Sequence, residues 1–176
     1  MPDERGPPND LTEQLEALHP ASFGWAVACC RGDRLQAEEV LQVSYVKVLD
    51  GSARYEGRSS VRTWFFGVIR TTAAELRRRA WTGPALLERW WQRRPEPARA
   101  HGPETAASES EAAGLLRQAL AGLSTRQREV VHLAFYQELT LEQAAEVLAL
   151  PVGTVRVHYE RAKRRLRKLL PQDVRP

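Results

Sequence analysis

Residues 140–170 predict two helices joined by a tight turn, with the sequence TLEQAAEVLALPVGTVRVHYERAKRRLRKLL. Thr140 is followed three residues later by Gln143, and this spacing is typical of a capping box that satisfies the first backbone donors of a helix. Pro151 has a fixed φ angle that suits the first position of the second helix. The segment therefore predicts a helix-turn-helix.

The second helix of this segment has two contrasting faces. Its apolar residues recur at steps of three and four, as in a helix that packs on one side: Val152, Val155, Tyr159, Ala162, Leu166 and Leu169. Between Gly153 and Lys168 there are also seven Arg or Lys residues and one acid, Glu160. Because the basic residues lie mostly opposite the apolar ones, we expect this face to bind DNA rather than to be a solvated charged surface.

The position of each residue along the helix predicts its role, because a recognition helix reads bases with its N-terminal residues. Gly153 allows the backbone to approach DNA closely. The candidates for contacts with base edges are Thr154, Val157, His158 and Arg161. The candidates for contacts with phosphates are Arg156, Arg164, Arg165 and Lys168.

Length and charge agree with a small nucleic-acid-binding protein. The 176 residues suit one domain or two small ones. The net charge of +4 and the isoelectric point near 9.4 favour a polyanionic partner.

The sequence predicts neither a metal site nor a cofactor, and it predicts no enzymatic activity. Cys29 and Cys30 are adjacent and have no second pair of cysteines to complete a zinc site. The four histidines are scattered, and no nucleophile lies at a useful spacing from a base. No apolar run is long enough to span a bilayer, and the polar N-terminus does not resemble a signal peptide, so we expect a cytoplasmic, nucleoid-associated protein.

Residues 36–49, QAEEVLQVSYVKVL, predict a helix with two functional faces. One face is suited to burial and consists of Ala37, Val40, Leu41, Ser44 and Val48. A second side mixes polar and apolar residues, which favours a partner surface: Glu39, Gln42, Val43 and Val46. The alternative is that the two valines belong to a wide core face.

A longer helix is predicted from Ser59 or Ser60, either of which can cap it, to about Ala80. We expect its buried stripe to comprise Val61, Trp64, Phe65, Val68, Ile69, Thr72 and Leu76. Another side carries arginines beside an aromatic ring, a combination that suits single-stranded nucleic acid: Arg62, Phe66, Arg70, Ala73 and Arg77. The alternative for Phe66 is a place in the core.

These segments predict an all-α protein with two small helical domains joined by a flexible linker. We expect a disordered N-terminus over residues 1–10, a first domain over 11–80 and a linker rich in Pro, Gly and Trp over 81–111. The helix-turn-helix domain then covers 112–171, and 172–176 form a tail.

The two domains together resemble bacterial RNA polymerase sigma factors of the extracytoplasmic-function type. The sequence GTVR followed by YERAKRRLRKLL is similar to region four of that family, which binds the promoter −35 element. QAEEVLQVSYVKVL is similar to the polymerase-binding helix of region two, and RTWFFGVIRTTAAELRRR is similar to its −10-reading helix.

The resemblance implies partners and residue roles. Core RNA polymerase would bind through its clamp and flap, promoter DNA would be melted at the −10 element, and an anti-sigma factor would hold the protein inactive. The clamp-binding residues would be Glu38, Glu39, Gln42, Val43 and Val46. The loop 54–60 would capture a flipped base, and with the helix after it would bind the −10 strand through Arg54, Tyr55, Arg58, Arg62, Phe66, Arg70, Thr71 and Arg77.

Three positions depart from the family pattern. Val43 replaces an acidic residue, Ile69-Arg70-Thr71 replaces Ala-Arg-Asn, and Val157-His158 replaces Ser-Arg. Two alternatives therefore stay open: a helix-turn-helix regulator that binds duplex DNA without sigma activity, and a sigma-like chain that no longer melts DNA.

Overall fold

The computed structural model describes residues 9–82 and 118–169, and within these ranges the chain is helical and contains no β-strand. We call residues 9–82 the N-terminal half and residues 118–169 the C-terminal half. The N-terminal half contains α1 (Asn9–Ala17), α2 (His19–Cys29), α3 (Arg34–Leu49) and α4 (Val61–Thr82). The C-terminal half begins with helical residues 118–121 and continues with α5 (Thr125–Val131), a π-helical turn (His132–Tyr136), α6 (Leu141–Leu148) and α7 (Val152–Leu169).

Local sequence signals account for the helix boundaries in the N-terminal half. Pro20 lies in the first turn of α2, so the chain breaks between α1 and α2. Asp33 caps α3 by accepting a hydrogen bond from the Gln36 backbone N–H at 3.0 Å. The Ser60 hydroxyl accepts from the Thr63 N–H at 3.1 Å, which confirms Ser60 as the residue that starts α4.

Two capping boxes are present in the C-terminal half, and the second of them is the predicted one. Ser124 and Gln127 exchange hydrogen bonds at the start of α5, and Thr140 and Gln143 do so at the start of α6. The helix-turn-helix turn reverses at Ala149, which has a left-handed φ of 47°. The π-helical turn was not predicted, because a single wide turn leaves no periodic pattern in the sequence.

One apolar core is shared by both halves. It contains Trp25 and Phe65 from the N-terminal half together with Val130, Leu133 and Leu148 from the C-terminal half, all almost fully buried. Helix α4 packs against α2 and α3 on one side and against α6 on another. A smaller second core lies inside the C-terminal half, where Ala162 and Leu166 of α7 meet Leu123 and Val131. The two halves therefore lie in direct contact.

The buried faces agree closely with the predicted ones, with one correction. All five residues assigned to the buried face of α3 are buried, and α4 buries Val61, Phe65, Ile69 and Thr72 as expected. Phe66 is completely buried and Ala73 is 6% exposed, although both lie on the side of α4 that we assigned to strand binding. The alternative of a place in the core therefore holds for Phe66, because Trp25 stacks on Phe66 and the C-terminal half contacts the same side of α4.

Two predicted segment boundaries differ from those of the structure. Asn9 and Asp10 are the first residues of α1 rather than part of a disordered N-terminus. Helix α4 extends to Thr82, two residues into the predicted linker. The remainder of the linker, residues 83–111, and the predicted tail lie outside the described residues.

Candidate nucleic-acid interface

The predicted DNA-reading face of α7 is open to solvent. Val155, Ala162 and Leu166 of the apolar seam are buried against the rest of the C-terminal half, and this fixes the rotation of the helix. His158 is half-buried, whereas the other predicted contacts are exposed: Gly153, Thr154, Arg156, Val157, Arg161, Arg164, Arg165 and Lys168. Val157 exposes 47% of its surface on this face.

Arg156 is oriented by the first helix of the pair. Its Nη2 donates to Glu142 Oε1 in the first turn of α6 at 2.8 Å, and both side chains are exposed. The pKa of Glu142 is lowered by a hydrogen bond from its own backbone and by Arg156. This ion pair links α6 to α7 next to the predicted base-reading residues.

Two of the three arginines on the strand-binding side of α4, Arg62 and Arg70, contact the C-terminal half. Arg62 Nη2 donates to Gln137 Oε1 at 2.9 Å, and its guanidinium lies 5.5 Å from the centre of the Phe66 ring. Arg70 Nε lies 3.9 Å from Glu129 Oε1, and both side chains are more than four-fifths buried. Burial lowers the pKa of Arg70, and the neighbouring Glu129 opposes this effect.

The loop before α4 places its aromatic residue against the helix. The Tyr55 ring lies 5.2 Å from the Trp64 ring, and the Tyr55 hydroxyl donates to the Ser59 carbonyl at 2.6 Å. Arg54 and Arg58 are exposed, with Arg58 in an ion pair with Glu56 at 2.8 Å. On α4 itself, Thr71 and Arg77 are exposed. Arg54, Arg58, Thr71 and Arg77 are therefore open to solvent. In contrast, the C-terminal half covers Arg62, Phe66 and Arg70.

Helix α3 presents the mixed polar and apolar surface expected of a partner site. Glu38, Glu39, Gln42 and Val46 are exposed and Val43 is half-buried, so the alternative of a wide core face does not apply to Val46. Sequence reasoning missed Leu35 and Leu49, which expose 80% and 62% of their surfaces on the same helix. Both are large apolar residues that lie outside the predicted buried face of the helix, and this could have identified them from the sequence.

Gln137 and Glu129 were also missed as functional candidates, and they lie at the contact between the two halves. Gln137 is 3% exposed although it is a polar residue directly after the π-helical turn and next to the exposed Glu138. Only the fold brings it to Arg62, 75 residues away.

In the part of the chain that the structure describes, no helix is long and apolar enough to cross a membrane.

Comparison with protein families agrees with this geometry. The model described as "Sigma-70 region 2" matches residues 15–82, and the model "Sigma-70, region 4" matches residues 119–168. The RNA polymerase sigma factor YlaC of Bacillus subtilis is 30% identical over 136 residues, which cover 75% of this chain and 76% of YlaC. The ECF RNA polymerase sigma factor ShbA of Streptomyces griseus is 33% identical over 138 residues, covering 77% and 72%.

The chain belongs to the extracytoplasmic-function (ECF) sigma factors. As a sigma factor it binds core RNA polymerase and promoter DNA and directs promoter-specific transcription. The resemblance read from the two sequence blocks is thereby confirmed, as are the all-α class and the two sigma regions.

Two solved structures share the fold of this sigma factor. The sigma factor RpoE of Bartonella quintana, in complex with the anti-sigma factor NepR, aligns with a TM-score of 0.70 and 23% identity over 94% of this chain and 99% of RpoE. CnrH in complex with the cytosolic domain of CnrY aligns with a TM-score of 0.58 and 22% identity, over 89% and 85%.

Proposed function

We propose that this sigma factor recognises promoters through two separate surfaces and binds polymerase through a third. The exposed face of α7 reads the −35 element, with Thr154, Val157, His158 and Arg161 at base edges. The loop 54–60 and α4 bind the unpaired −10 strand, and the exposed surface of α3 binds the polymerase clamp. The observation that carries the proposal is the outward basic face of α7 on a buried apolar seam.

Melting in this scheme needs no catalytic group. Extruding a base from a duplex costs a few kcal/mol, and binding of the extruded strand can offset that cost. Arg54, Arg58 and Arg77 are exposed cations placed to pair with phosphates, and Tyr55 offers an aromatic ring. The protein therefore acts as a non-enzymatic specificity subunit in the cytoplasm, associated with the nucleoid through promoter DNA.

An anti-sigma factor is a further proposed partner. The sigma factors RpoE and CnrH, which share this fold, were solved with an anti-sigma factor and with the cytosolic domain of CnrY respectively. A protein of the same type would inhibit this chain by covering surfaces that polymerase or DNA must reach.

The test begins with promoter identification. Transcription start sites mapped after overproduction of the protein yield a promoter, and purified core polymerase is then assayed on it with permanganate footprinting. We expect a promoter-dependent transcript and reactive thymines around −10. A transcript-free reaction would contradict sigma activity, and duplex binding without an open bubble would assign the chain to regulators that do not melt DNA.

A matched pair of substitutions tests α4. Arg77 and Arg79 are both exposed on this helix, but only Arg77 lies on the proposed strand-binding side. Arg77→Ala should lower the yield of open complexes roughly tenfold, since a hydrogen bond to a charged group is lost. Arg79→Ala, with the same change of charge, should have little effect. Equal losses for the two variants would show that only net charge matters.

A further inference from the structure

An acid lies beside the proposed DNA-binding residues of the helix-turn-helix. Glu142 is in the first turn of α6 and is exposed to solvent. In a helix-turn-helix the first helix crosses the phosphate backbone, while the second lies in the major groove. A carboxylate at the start of α6 would therefore lie near phosphates, which repel it. Electrostatic repulsion alone disfavours an acid at this position.

Glu142 forms an ion pair with Arg156 of α7, the proposed recognition helix. Arg156 Nη2 donates to Glu142 Oε1 at 2.8 Å, although the two residues are 14 positions apart and belong to different helices. The pair carries one charge of each sign. It lies next to Thr154 and Val157, two of the proposed base-reading residues.

The backbone at both ends of this ion pair is held rigidly. At the start of α6 the Thr140 hydroxyl accepts from the Gln143 N–H at 3.1 Å, and the Gln143 side chain accepts from the Thr140 N–H at 2.9 Å. Beside Arg156, Val155 is completely buried, which fixes the rotation of α7. Because both side chains start from fixed points, the pair restricts the rotamers of Arg156.

The ion pair leaves most of the Arg156 guanidinium available for a ligand. A guanidinium has five N–H donors in a planar fork, and the hydrogen bond to Glu142 uses one of them. The Arg156 side chain exposes 61% of its surface. The other donors can bind phosphate oxygens in the bidentate manner that arginine favours. Glu142 and a phosphate can therefore hold Arg156 at the same time.

An arginine that is held in advance binds phosphate at a lower entropic cost. A long side chain loses much of its rotamer freedom when a complex fixes it, and Arg156 is already restricted in the free protein. A fixed phosphate contact also sets the register of a protein on the duplex. Since Thr154 and Val157 would reach particular base edges in one register, we expect Glu142 to affect sequence discrimination as well as affinity.

Two simpler roles for Glu142 make different predictions. An acid in the first turn of a helix stabilises that helix through its dipole, and this role does not involve Arg156. A carboxylate that acts on DNA through its charge alone would repel phosphates, so its removal would raise the affinity for every duplex.

We propose that Glu142 is a positioning residue for −35 recognition, which holds the Arg156 guanidinium so that it clamps a phosphate of the element. The inference rests on the proposed reading of the −35 element by α7. Loss of the Glu142 charge then weakens DNA binding, even though an acid is removed from a surface that binds a polyanion.

The test is a double-mutant cycle in the full chain with Glu142→Gln and Arg156→Ala. Fluorescence anisotropy measures the affinity for a fluorescein-labelled −35 duplex from the mapped promoter, and for a scrambled duplex, over a range of salt concentrations. We expect Glu142→Gln to lower the affinity for the −35 duplex about three- to fivefold, and the affinity for the scrambled duplex by less. The slope of log affinity against log salt should fall by about one.

The second background separates positioning from the two simpler roles. In the Arg156→Ala chain, Glu142→Gln should change neither the affinity nor the salt slope, because the group through which Glu142 acts is gone. A loss of affinity that persists in this background would assign Glu142 to helix stability, which urea denaturation of each variant measures independently. A gain in affinity, or no change in the wild-type background, would also overturn the positioning role.

Glu146→Gln is the matched control, because Glu146 is an exposed acid one turn further along α6. It makes the same change of charge on the same helix, and we expect it to leave the affinity for the −35 duplex and the salt slope unchanged. Equal losses for Glu146→Gln and Glu142→Gln would contradict a specific role for the ion pair.

Failure of the positioning role can be separated from failure of the proposed function through Arg161→Ala. If this variant weakens binding to the −35 duplex while Glu142→Gln does not, α7 reads the element and only the positioning role is lost. If neither Arg156→Ala nor Arg161→Ala changes the affinity, the proposed reading of the −35 element by α7 is wrong as well.

Discussion

Arg161 is the residue on which promoter preference is expected to depend most. It is exposed on the proposed DNA-facing side of α7, about two and a half helical turns from the start of the helix, where a guanidinium can reach a guanine edge. Val157, one turn earlier on the same face, provides an apolar surface for a thymine methyl group. These two side chains differ in what they can recognise, and we expect them together to define a short stretch of the −35 element.

Replacement of Arg161 by alanine should weaken binding to −35 duplex by about 1–3 kcal/mol and relax the preference at one base pair. Fluorescence anisotropy with a panel of single-base variants measures both effects. Arg167→Ala is the control, because Arg167 is exposed on the same helix but lies beyond the base-reading end. An equal loss on every sequence in the panel would assign Arg161 to a phosphate.

His132 makes the stability of the contact between the halves depend on pH. Burial lowers its pKa from 6.5 to about 4, and the groups around it are Trp25, Tyr136 and the Gln137 amide. The unfolded chain binds a proton below pH 6.5, whereas the folded chain stays neutral down to about pH 4. The free energy of unfolding is therefore highest above pH 6.5 and falls as the pH drops from 6.5 to 4.

We expect the free energy of unfolding to fall by on the order of 2 kcal/mol between pH 7 and pH 5 because of His132. Urea denaturation at both pH values measures the change. The variant His132→Gln cannot titrate in this range and should lose that part of the dependence, leaving only the contribution of carboxylates. The same pH dependence in wild type and variant would contradict the burial of a neutral imidazole.

At the scale of the elements, α3 has one face in the core and one face in water. Its five buried residues match the three- and four-residue spacing in the sequence, so the rotation of the helix is set by packing. The opposite face combines acidic and amide groups with the exposed apolar side chains of Leu35, Val46 and Leu49. Such a mixture is typical of a surface that is covered in a complex.

Charge reversal at Glu39 tests this face. Glu39→Arg should weaken binding to core polymerase at least tenfold, since a like charge or an unpaired charge in an interface costs several kcal/mol. Binding of −35 duplex should not change. Glu13→Arg on α1 is the matched reversal of an exposed acid outside the proposed surface. Pull-down with labelled core polymerase gives the affinities, and equal values for Glu39→Arg and wild type would remove α3 from the interface.

The helix-turn-helix was the most predictable element because its signals are local. Thr140 and Gln143 form the expected capping box, and Val155, Ala162 and Leu166 are buried as their spacing indicates. The turn itself uses a left-handed Ala149, a position where glycine is more common, so the sequence offered no glycine to mark the end of α6. The C-terminal end of α6 is instead satisfied by the Leu150 N–H, which donates to the Ala145 carbonyl at 3.0 Å.

At the scale of the whole molecule, local patterns did not predict how the two halves pack. The spacing of apolar residues gives the face of a helix that is buried, but not the element that buries it. For this reason the sequence left Phe66 open between a nucleic-acid surface and the core, and Gln137 was missed because its partners Arg62 and Ala21 are 75 and 116 residues away. The roles assigned to the DNA-binding and polymerase-binding residues stay predictions.

The shared core also affects how strongly the free protein resists aggregation and proteolysis. If the halves separated in free solution, Trp25, Phe66 and Leu133 would enter water, and exposed apolar surface of this kind promotes aggregation and attack by proteases. While the halves remain packed together, these side chains are hidden within a single chain. The contact between the halves therefore also protects the free protein from self-association and from proteolysis.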